Sequence, residues 1–525
     1  GRKVRDRKRV ENVNKKNSMK GVVEFTIYSD VVSCPNCGFE DSLYNLLVDE
    51  KNDKFKKSTN CPECFVKVPD SKWESMFVTK FDNVLLRPVR ITKIKPVRVN
   101  YSVNGSRYEK YPDISDENNY HKAEALLGVI SLPEVELIPG KETQRNQSKG
   151  VTHLHQFFTD REHLYVAALL KKINNVRDAN IRLTLLLALT ASMPYASRMR
   201  RFRADRKGGG PLSGTLYMGS LITPPNVIST YKRNLASIVN SLSRVELYNS
   251  SGIVTTQSAS AMEGMPSNSI DYIFTDPPFG HNFDYSELNF FWEGILRVTT
   301  NQIPEAIVSS SQNKNVDVYK NLMTHCFSEY YRLLKPGHWI TVEFSNSKAS
   351  VWNGIQSALK SSGFIVASVM GLDKKQLSFK AVMTTTAVKQ DLVISAYKPS
   401  DKFERNFERD KDSVKGVWDF VTSHLQYLPI TKIQDRELVR VPERDPRILF
   451  DQLISYYVRK GIPVPLSSQE FQKKLFEKYI ERDGMVFLPE QVAEYDRKRI
   501  LSNKVRQLTI FIDDEASAIE WMRQE

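Results

Sequence analysis

The sequence lacks an apolar run that could cross a lipid bilayer, which takes about 20 consecutive apolar residues. It also lacks a recognisable signal peptide. We therefore expect a soluble, cytoplasmic protein rather than a secreted or membrane-embedded one. Cysteine is scarce too, at five of 525 residues. Four of the five form two close pairs, which indicates metal ligands rather than disulfides.

Acidic residues are fewer than basic ones. The chain has 61 Asp and Glu against 75 Lys and Arg, a net charge of +14 and an isoelectric point near 9.3. This excess favours a polyanionic partner such as nucleic acid. Residues 1–20 are especially basic, which predicts either an arm that contacts phosphates or a solvated linker.

The two cysteine pairs have the spacing of a metal site. Cys34 and Cys37 form one Cys-x-x-Cys turn, and Cys61 and Cys64 form a second after 23 intervening residues. Two such turns can present four thiolates to one tetrahedral Zn²⁺. Because four protein ligands leave no open position on the ion, we expect a structural zinc. Next, Val84–Tyr111 has a basic, strand-like pattern with a tight turn at Asn104-Gly105.

An arginine-rich segment follows a long stretch that is predicted to be helical, Asp160–Met193. His153 and His155 precede that helix and have no partner at metal spacing, so we expect them to pack or form hydrogen bonds. Basic residues then surround Phe202 and precede a glycine run, Gly208–Gly210. Five of them are the candidate contacts: Arg198, Arg200, Arg201, Arg203 and Lys207. This pattern favours contact with nucleic-acid phosphates or a cofactor over a plain surface loop.

A short apolar run, Tyr272–Phe274, predicts a buried strand that ends in Asp276-Pro277-Pro278-Phe279. The prolines cannot continue a central strand, so Asp276 and Phe279 should project from its carboxyl end. In open α/β sheets that edge binds ligands. The simpler alternative is a Pro-Pro turn without chemistry.

The order of elements around this run predicts an α/β fold. Strands are expected at Gly252–Thr256, Trp339–Phe344, Gly363–Met370 and Asp391–Tyr397, with helices on either side of Trp339–Phe344. Gly363–Met370 is expected to pair with Asp391–Tyr397 as a terminal hairpin, and this order fits a doubly wound sheet. After Pro399 the sequence becomes charged and helical. Ser467 and Glu470 form a capping box there.

Taken in order, these features resemble the zinc-ribbon-containing adenine-specific DNA methylases of bacteria and archaea, some of which are phage-defence components. The resemblance also rests on several further stretches, namely Asn100–Lys110, Gly150–His155, Gly210–Tyr217, Tyr285–Leu288 and Glu481–Arg499. It implies a Rossmann-like methyltransferase sheet, incomplete at its N-terminal side, with a zinc-ribbon insertion and a C-terminal helical module. The implied domains are a basic arm (1–20), a zinc ribbon and basic β region (21–150), a catalytic domain (151–400) and a helical module (401–525).

The resemblance implies methyl transfer from S-adenosylmethionine to adenine N6 of double-stranded DNA in a prokaryotic restriction-modification or phage-defence system, with other defence subunits as further partners. Asp276, Pro277, Pro278 and Phe279 would be the catalytic residues. An exocyclic amine is a poor nucleophile because its lone pair is delocalised into the ring. The Asp276 carboxylate and the Pro277 carbonyl could hold its two N–H groups, while Phe279 stacks on a base flipped out of the duplex.

Two departures from the family concern the cofactor. No Phe-x-Gly-x-Gly loop follows a strand, and we expect that loop to lie upstream of Gly1 in a longer protein or to come from another chain. Gln257-Ser258 occupies the strand end where relatives often have Gly-Asp, so Ser258 is the candidate cofactor-binding residue. Two alternatives stay open: an RNA guanine-N2 methyltransferase, in which Asp-Pro-Pro-aromatic-Gly also occurs, and a non-catalytic DNA-binding subunit.

Overall fold

The computed structural model describes residues 21–205, 209–244, 252–280, 283–346, 348–372, 391–434, 437–501 and 505–506. The chain forms two compact units. Unit 1 comprises Gly1–Ile253 and Asp284–Thr300, and unit 2 comprises Val254–Phe283 and Asn301–Glu525. The segment predicted to be catalytic, Asp276–Phe279, therefore lies wholly in unit 2, and Tyr285 lies in unit 1.

Unit 1 is built on a mostly antiparallel sheet with short hairpins attached to it. Its strands are β1 (Val22–Ser33), β2 (Glu40–Ser42), β3 (Val48–Asp49), β4 (Lys54–Phe55), β5 (Ser58–Asn60), β6 (Lys67–Pro69), β7 (Glu74–Ser75), β8 (Phe77–Asp82), β9 (Arg87–Thr92), β10 (Ile94–Val103), β11 (Ser106–Lys110) and β12 (Leu221–Ile222). The main sheet has the order β11-β10-β1-β12. Asn104 and Gly105 join β10 to β11 with φ angles of 47° and 80°, which confirms the predicted tight turn.

The helices of unit 1 are α1 (Leu43–Leu47), α2 (Ile114–Leu126), α3 (Lys141–Gln147), α4 (Asp160–Asn174), α5 (Ala179–Ala196), α6 (Val227–Leu242) and α7 (Tyr285–Leu296). The helical stretch predicted over Asp160–Met193 is divided into two helices, because α4 ends at Asn174 and α5 begins after Asp178. The Asp178 carboxylate accepts a hydrogen bond from the backbone N–H of Ile181 and so caps α5. The core of unit 1 lies among α4, α5, α6 and α7, where Phe291 is fully buried against Phe157.

Unit 2 contains a four-stranded sheet and a set of helices. Its strands are β13 (Ile270–Thr275), β14 (Leu334–Phe344), β15 (Ile365–Leu372), β16 (Asp391–Tyr397), β17 (Lys432–Gln434), β18 (Glu437–Val439), β19 (Ile480–Arg482), β20 (Met485–Phe487) and β21 (Val505–Arg506). Its helices are α8 (Val316–Leu333), α9 (Ala349–Ser361), α10 (Asp401–Asp410), α11 (Val414–Tyr427), α12 (Pro446–Arg459), α13 (Ser468–Lys478) and α14 (Pro489–Leu501).

The main sheet of unit 2 has the order β13-β14-β16-β15. Only β13 and β14 run parallel, and the other two pairs are antiparallel. The pairing predicted between Gly363–Met370 and Asp391–Tyr397 is therefore confirmed. The described part of the chain is mixed α/β, but its sheets do not form the expected doubly wound parallel sheet. The stretch Gly252–Thr256, expected to be a further strand, is exposed and non-regular.

The strand predicted at Tyr272–Phe274 is present as part of β13, but the expectation that it is buried was wrong. In the described structure β13 pairs with β14 alone, so it is an edge strand. Ile273 packs on the core with α8 and α9, whereas Tyr272 and Phe274 are 53% and 60% exposed. Alternate strand residues point to opposite faces, so one face of β13 is covered and the other is not.

The C-terminal helices share a core with the sheet. Phe407 of α10 and Tyr457 of α12 belong to the same apolar cluster as Tyr397 of β16. The capping box predicted from Ser467 and Glu470 is present at the start of α13. Among the described residues, no helix combines the length and the apolar character that a membrane span requires.

Candidate functional site

The Asp-Pro-Pro-Phe segment begins where β13 ends. Parallel pairing with β14 continues to Thr275, opposite Val342, and the next residue is Asp276. Pro277 and Pro278 have no N–H to donate, so the ladder stops there. Asp276 is exposed and Pro277 is buried. The carboxylate is thus presented at the carboxyl end of the strand.

Three backbone carbonyls of this segment are held by groups from other parts of unit 2. The hydroxyl of Tyr319, on α8, donates to the carbonyl of Pro278 over 2.7 Å. The side-chain amide of Asn346 donates to the carbonyl of Phe279, and the N–H of Val308 donates to that of Gly280 over 3.1 Å.

The carbonyl of Pro277 differs from these three. Within the described residues, no N–H or O–H group donates a hydrogen bond to the Pro277 carbonyl. This carbonyl and the Asp276 carboxylate are hydrogen-bond acceptors on consecutive residues at the end of β13. Such a pair matches the two N–H groups of an exocyclic amine.

Phe279 and Gly280 complete the segment. The ring of Phe279 is half-buried and meets Phe344 edge to face, with ring centroids 5.5 Å apart. Gly280 has a φ of 76°, and a Cβ there would approach Val351 to 2.9 Å, so the turn requires glycine. The predicted stacking of Phe279 on a base would use the part of the ring that Phe344 leaves exposed.

Ser258, the candidate cofactor residue, lies in a turn rather than at the end of a strand. Its hydroxyl is 2.8 Å from that of Ser260 and accepts from the Ser260 N–H over 3.2 Å. The assignment of Ser258 to the cofactor stays a prediction.

The four predicted zinc ligands come together in unit 1. Cys34, Cys37, Cys61 and Cys64 place their Sγ atoms within 4.8 Å of one another. The Cys34–Cys64 and Cys37–Cys61 sulfur distances are 3.8 Å and 3.6 Å. Tetrahedral Zn²⁺ with bonds of about 2.3 Å separates its sulfur ligands by about 3.8 Å. The four thiols therefore fit a tetrahedral ion, and the cluster could hold zinc.

The two cysteine turns repeat one backbone pattern. The N–H of Cys34 donates to the carbonyl of Phe39, and that of Cys61 donates to the carbonyl of Val66. In each turn the residue after the second cysteine is left-handed: Gly38 has a φ of 76° and Phe65 a φ of 60°. Phe65 adopts this conformation without being glycine, and its side chain is exposed.

The arginines of the arginine-rich segment differ in how deeply they are buried. Arg198 is 4% exposed and donates to the carbonyl of Gln156, so this side chain is unavailable to a phosphate in the described conformation. Arg200 and Arg201 donate from Nε to the carbonyls of Gly209 and Gly210, at 3.2 Å and 3.3 Å.

Arg203 and Lys207 are the remaining two predicted contacts. Arg203 is exposed and pairs with Asp205, its Nε lying 3.0 Å from Oδ1. Lys207 lies outside the described residues.

A buried polar network in unit 1 was not predicted. His155 Nε2 lies 2.8 Å from Asp82 Oδ2, and the Gln156 amide donates to the same oxygen. Burial opposes ionisation of Asp82, but the hydrogen bonds from His155 and Gln156 hold the pKa of its carboxyl well below its usual range. The contact between His155 and Asp82 agrees with the expectation that His155 forms hydrogen bonds. Its partner Asp82 was not predicted, because no sequence spacing connects the two residues.

No protein-family model matches the chain, and no curated protein matches it either. Two crystal structures of a Thermus thermophilus protein, named as a candidate DNA modification methylase, are similar in part. The selenomethionine form matches at 14% identity over 32% of this chain and 65% of its own, with a TM-score of 0.17. The other matches at 13% identity over 44% of this chain and 96% of its own, also with a TM-score of 0.17. The first match thus spans less than two thirds of that protein, and a TM-score this low does not establish a shared fold.

Proposed function

We propose that the protein is a DNA methyltransferase that modifies the N6 amino group of adenine. The observation that carries the proposal is the pair of acceptors at the end of β13. The Asp276 carboxylate is exposed there, and the adjacent Pro277 carbonyl has no donor among the described residues. Asp276 would accept one N–H of the amine and Pro277 the other.

These two hydrogen bonds would change the reactivity of the amine. Drawing both N–H bonds toward acceptors favours a pyramidal nitrogen, whose lone pair is less delocalised into the ring. The negative charge of Asp276 would also stabilise the positive charge that develops on nitrogen as a bond to carbon forms. S-adenosylmethionine, when bound, supplies a methyl group on a positively charged sulfur. Apart from Ser258, residues that bind this cofactor are not assigned in the chain.

The remaining parts of the site would position the base. Phe279 would stack on an adenine flipped out of its duplex, because the amino group is inaccessible to a protein carboxylate inside the helix. Tyr319 and Asn346 would keep the segment rigid through the carbonyls of Pro278 and Phe279. The four cysteines would hold a structural Zn²⁺ that stabilises the ribbon of unit 1.

The proposal is tested by identifying the molecule that accepts the methyl group. Full-length protein is incubated with radiolabelled S-adenosylmethionine and either duplex DNA or total RNA, and the labelled nucleoside is identified by chromatography. We expect N6-methyladenine from DNA. Labelled N2-methylguanine from RNA alone would instead establish the RNA enzyme. DNA binding with no transfer to either acceptor would indicate the non-catalytic subunit.

A further inference from the structure

A concave site lies in unit 1, apart from the Asp-Pro-Pro-Phe segment in sequence. It is a cavity of about 390 Å³, and three arginines from three separate elements line it: Arg107, Arg200 and Arg233. Arg107 lies on β11, Arg200 follows α5, and Arg233 lies on α6. We propose that this cavity binds a backbone phosphate of the nucleic-acid substrate, with the three guanidinium groups as its charged ligands.

The charge balance of the cavity favours an anion. Among the described residues that line the cavity, Glu24 is the one acidic residue, and its Oε1 already accepts a hydrogen bond from the Ser102 hydroxyl over 2.7 Å. In the part of the chain that the structure describes, none of the three arginines forms an ion pair with an acidic side chain. Guanidinium groups carry planar sets of N–H donors that suit phosphate oxygens, and they stay charged at any physiological pH.

The arginines also affect one another. Burial lowers the pKa of the Arg200 guanidinium, and the positive charge of Arg233 lowers it further. Two like charges held close together are destabilising unless an anion lies between them. A bound phosphate would relieve that repulsion.

A helix N-terminus contributes to the same cavity. Asn226 caps α6, a helix of 16 residues with no acidic residue in its first turn. The Asn226 side chain accepts from the N–H of Ser229 and donates to the carbonyl of Val23, which fixes the start of α6 on β1. Ser229 and Thr230 of the first turn both line the cavity. The positive end of the helix dipole is therefore directed at the place where the phosphate would bind.

A glycine segment forms another part of the wall. Gly209 lies so close to Arg201 that a Cβ would approach the Arg201 carbonyl oxygen to 2.0 Å, so a side chain at this position would displace the backbone. Arg200 holds this segment through the Gly209 carbonyl. Tyr195, 44% exposed, lines the cavity beside the glycines and offers an aromatic face next to the charged groups.

The accessibility of the arginines favours a nucleic-acid strand over a free small anion. Arg107 and Arg233 are exposed, so the charged rim faces solvent and can be reached by a phosphate that is part of a polymer. Contacts of this kind fix the position of a duplex without reading its sequence. The inference rests on the proposed function for the identity of the polymer, but its test needs no methyl transfer.

The test measures DNA affinity as a function of salt concentration by fluorescence anisotropy, without cofactor. The test variant is the double substitution Arg107→Gln/Arg233→Gln, since both residues are exposed. Arg200→Gln is measured as well, with its folding checked by circular dichroism because Arg200 holds the Gly209 carbonyl. The matched control is Arg177→Gln, an exposed arginine just before α5. The 18 residues of α5 place it about 27 Å from Tyr195.

The slope of log K against log salt concentration is negative, and we expect its magnitude to be about one unit smaller in the double variant than in the wild type. A difference of this size corresponds to the loss of one phosphate contact. The loss should be equal for unrelated DNA sequences, and Arg177→Gln should match the wild type. Equal slopes and affinities for the double variant and the control would overturn the proposal. So would binding of a nucleoside monophosphate that the double variant abolishes while its DNA slope is unchanged, because the cavity would then be a small-anion site. Failure of methyl transfer alone would contradict the proposed function and leave these slopes unaffected.

Discussion

The hydroxyl of Tyr319 donates a hydrogen bond to the carbonyl of Pro278 over 2.7 Å. Tyr319 is fully buried on α8, and Pro278 lies in the turn that follows β13. One helix therefore sets the position of the carbonyl next to Pro277, and so constrains where the two proposed acceptors for the amine lie.

Removing that hydroxyl is expected to affect catalysis more than binding. Tyr319→Phe keeps the buried ring and deletes the hydrogen bond to the Pro278 carbonyl. A hydrogen bond of this kind stabilises a fold by about 1 kcal/mol. We expect kcat for methyl transfer to fall while KM for DNA changes little, because the turn becomes less well fixed. The matched control is Tyr330→Phe on the same helix, whose hydroxyl lies 3.4 Å from that of Thr275. A wild-type kcat for Tyr319→Phe, equal to that of the control, would mean that the hydrogen bond from Tyr319 to Pro278 has no role in positioning.

The four-cysteine cluster predicts one zinc ion per chain. Cys61→Ser should lose the ion, because Cys61 is fully buried among the other three ligands and serine is a poor substitute for thiolate. The unfolding temperature of the variant should fall, since binding of a structural ion contributes to folding. Cys326→Ser is the control: this cysteine is buried on α8, away from the cluster in sequence, and its loss should leave the zinc content at one. Metal content is measured by atomic emission on the purified proteins. Equal zinc in both variants would exclude the site.

Acid should destabilise unit 1 through His163. Burial, followed by the positive charge of His155, lowers the pKa of the His163 imidazole to about 3, and its Nε2 accepts the N–H of Leu132 over 2.9 Å. The folded state thus holds His163 neutral, whereas the unfolded chain protonates it near its ordinary pKa of about 6.5. This contribution to stability is complete above pH ~6.5 and is lost progressively as the pH falls toward 3.

Chemical denaturation at a series of pH values measures this effect. Wild-type protein should lose stability below pH ~6.5 with a contribution from His163 of up to about 1.4 kcal/mol per pH unit. His163→Gln retains an acceptor for the Leu132 N–H and should make that pH dependence shallower. His121→Gln is the control, because the His121 side chain is 79% exposed. A wild-type slope in His163→Gln would mean that other groups account for the acid sensitivity.

Local signals in the sequence predicted the local structures. The Asn104-Gly105 turn, the capping box at Ser467 and the grouping of the four cysteines all depend on residues close in sequence or on a fixed spacing. The break between α4 and α5 also had such a signal, since Asp178 is a good N-cap within a polar stretch, but the apolar pattern on both sides concealed it.

Features that depend on distant partners were not predictable in this way. Tyr272 and Phe274 have the pattern of a buried strand. Their exposure follows from the position of β13, which in the described part of the chain pairs with β14 alone. Arg198 and Arg200 are neighbours in a basic run, yet the fold buries one and directs the other into a cavity. The two further arginines of that cavity, Arg107 and Arg233, come from elements far away in sequence.

The most direct test of the account is the single-turnover rate of methyl transfer from labelled S-adenosylmethionine to duplex DNA by full-length protein, compared between Asp276→Ala and Asp271→Ala. Asp271 is an exposed acid at the start of the same strand, paired with Lys335, and serves as the matched control. We predict that Asp276→Ala lowers the rate by about 100-fold, because a hydrogen-bond acceptor is lost at the point where charge develops. We predict the wild-type rate for Asp271→Ala. Methyl transfer at the wild-type rate by Asp276→Ala would contradict the account.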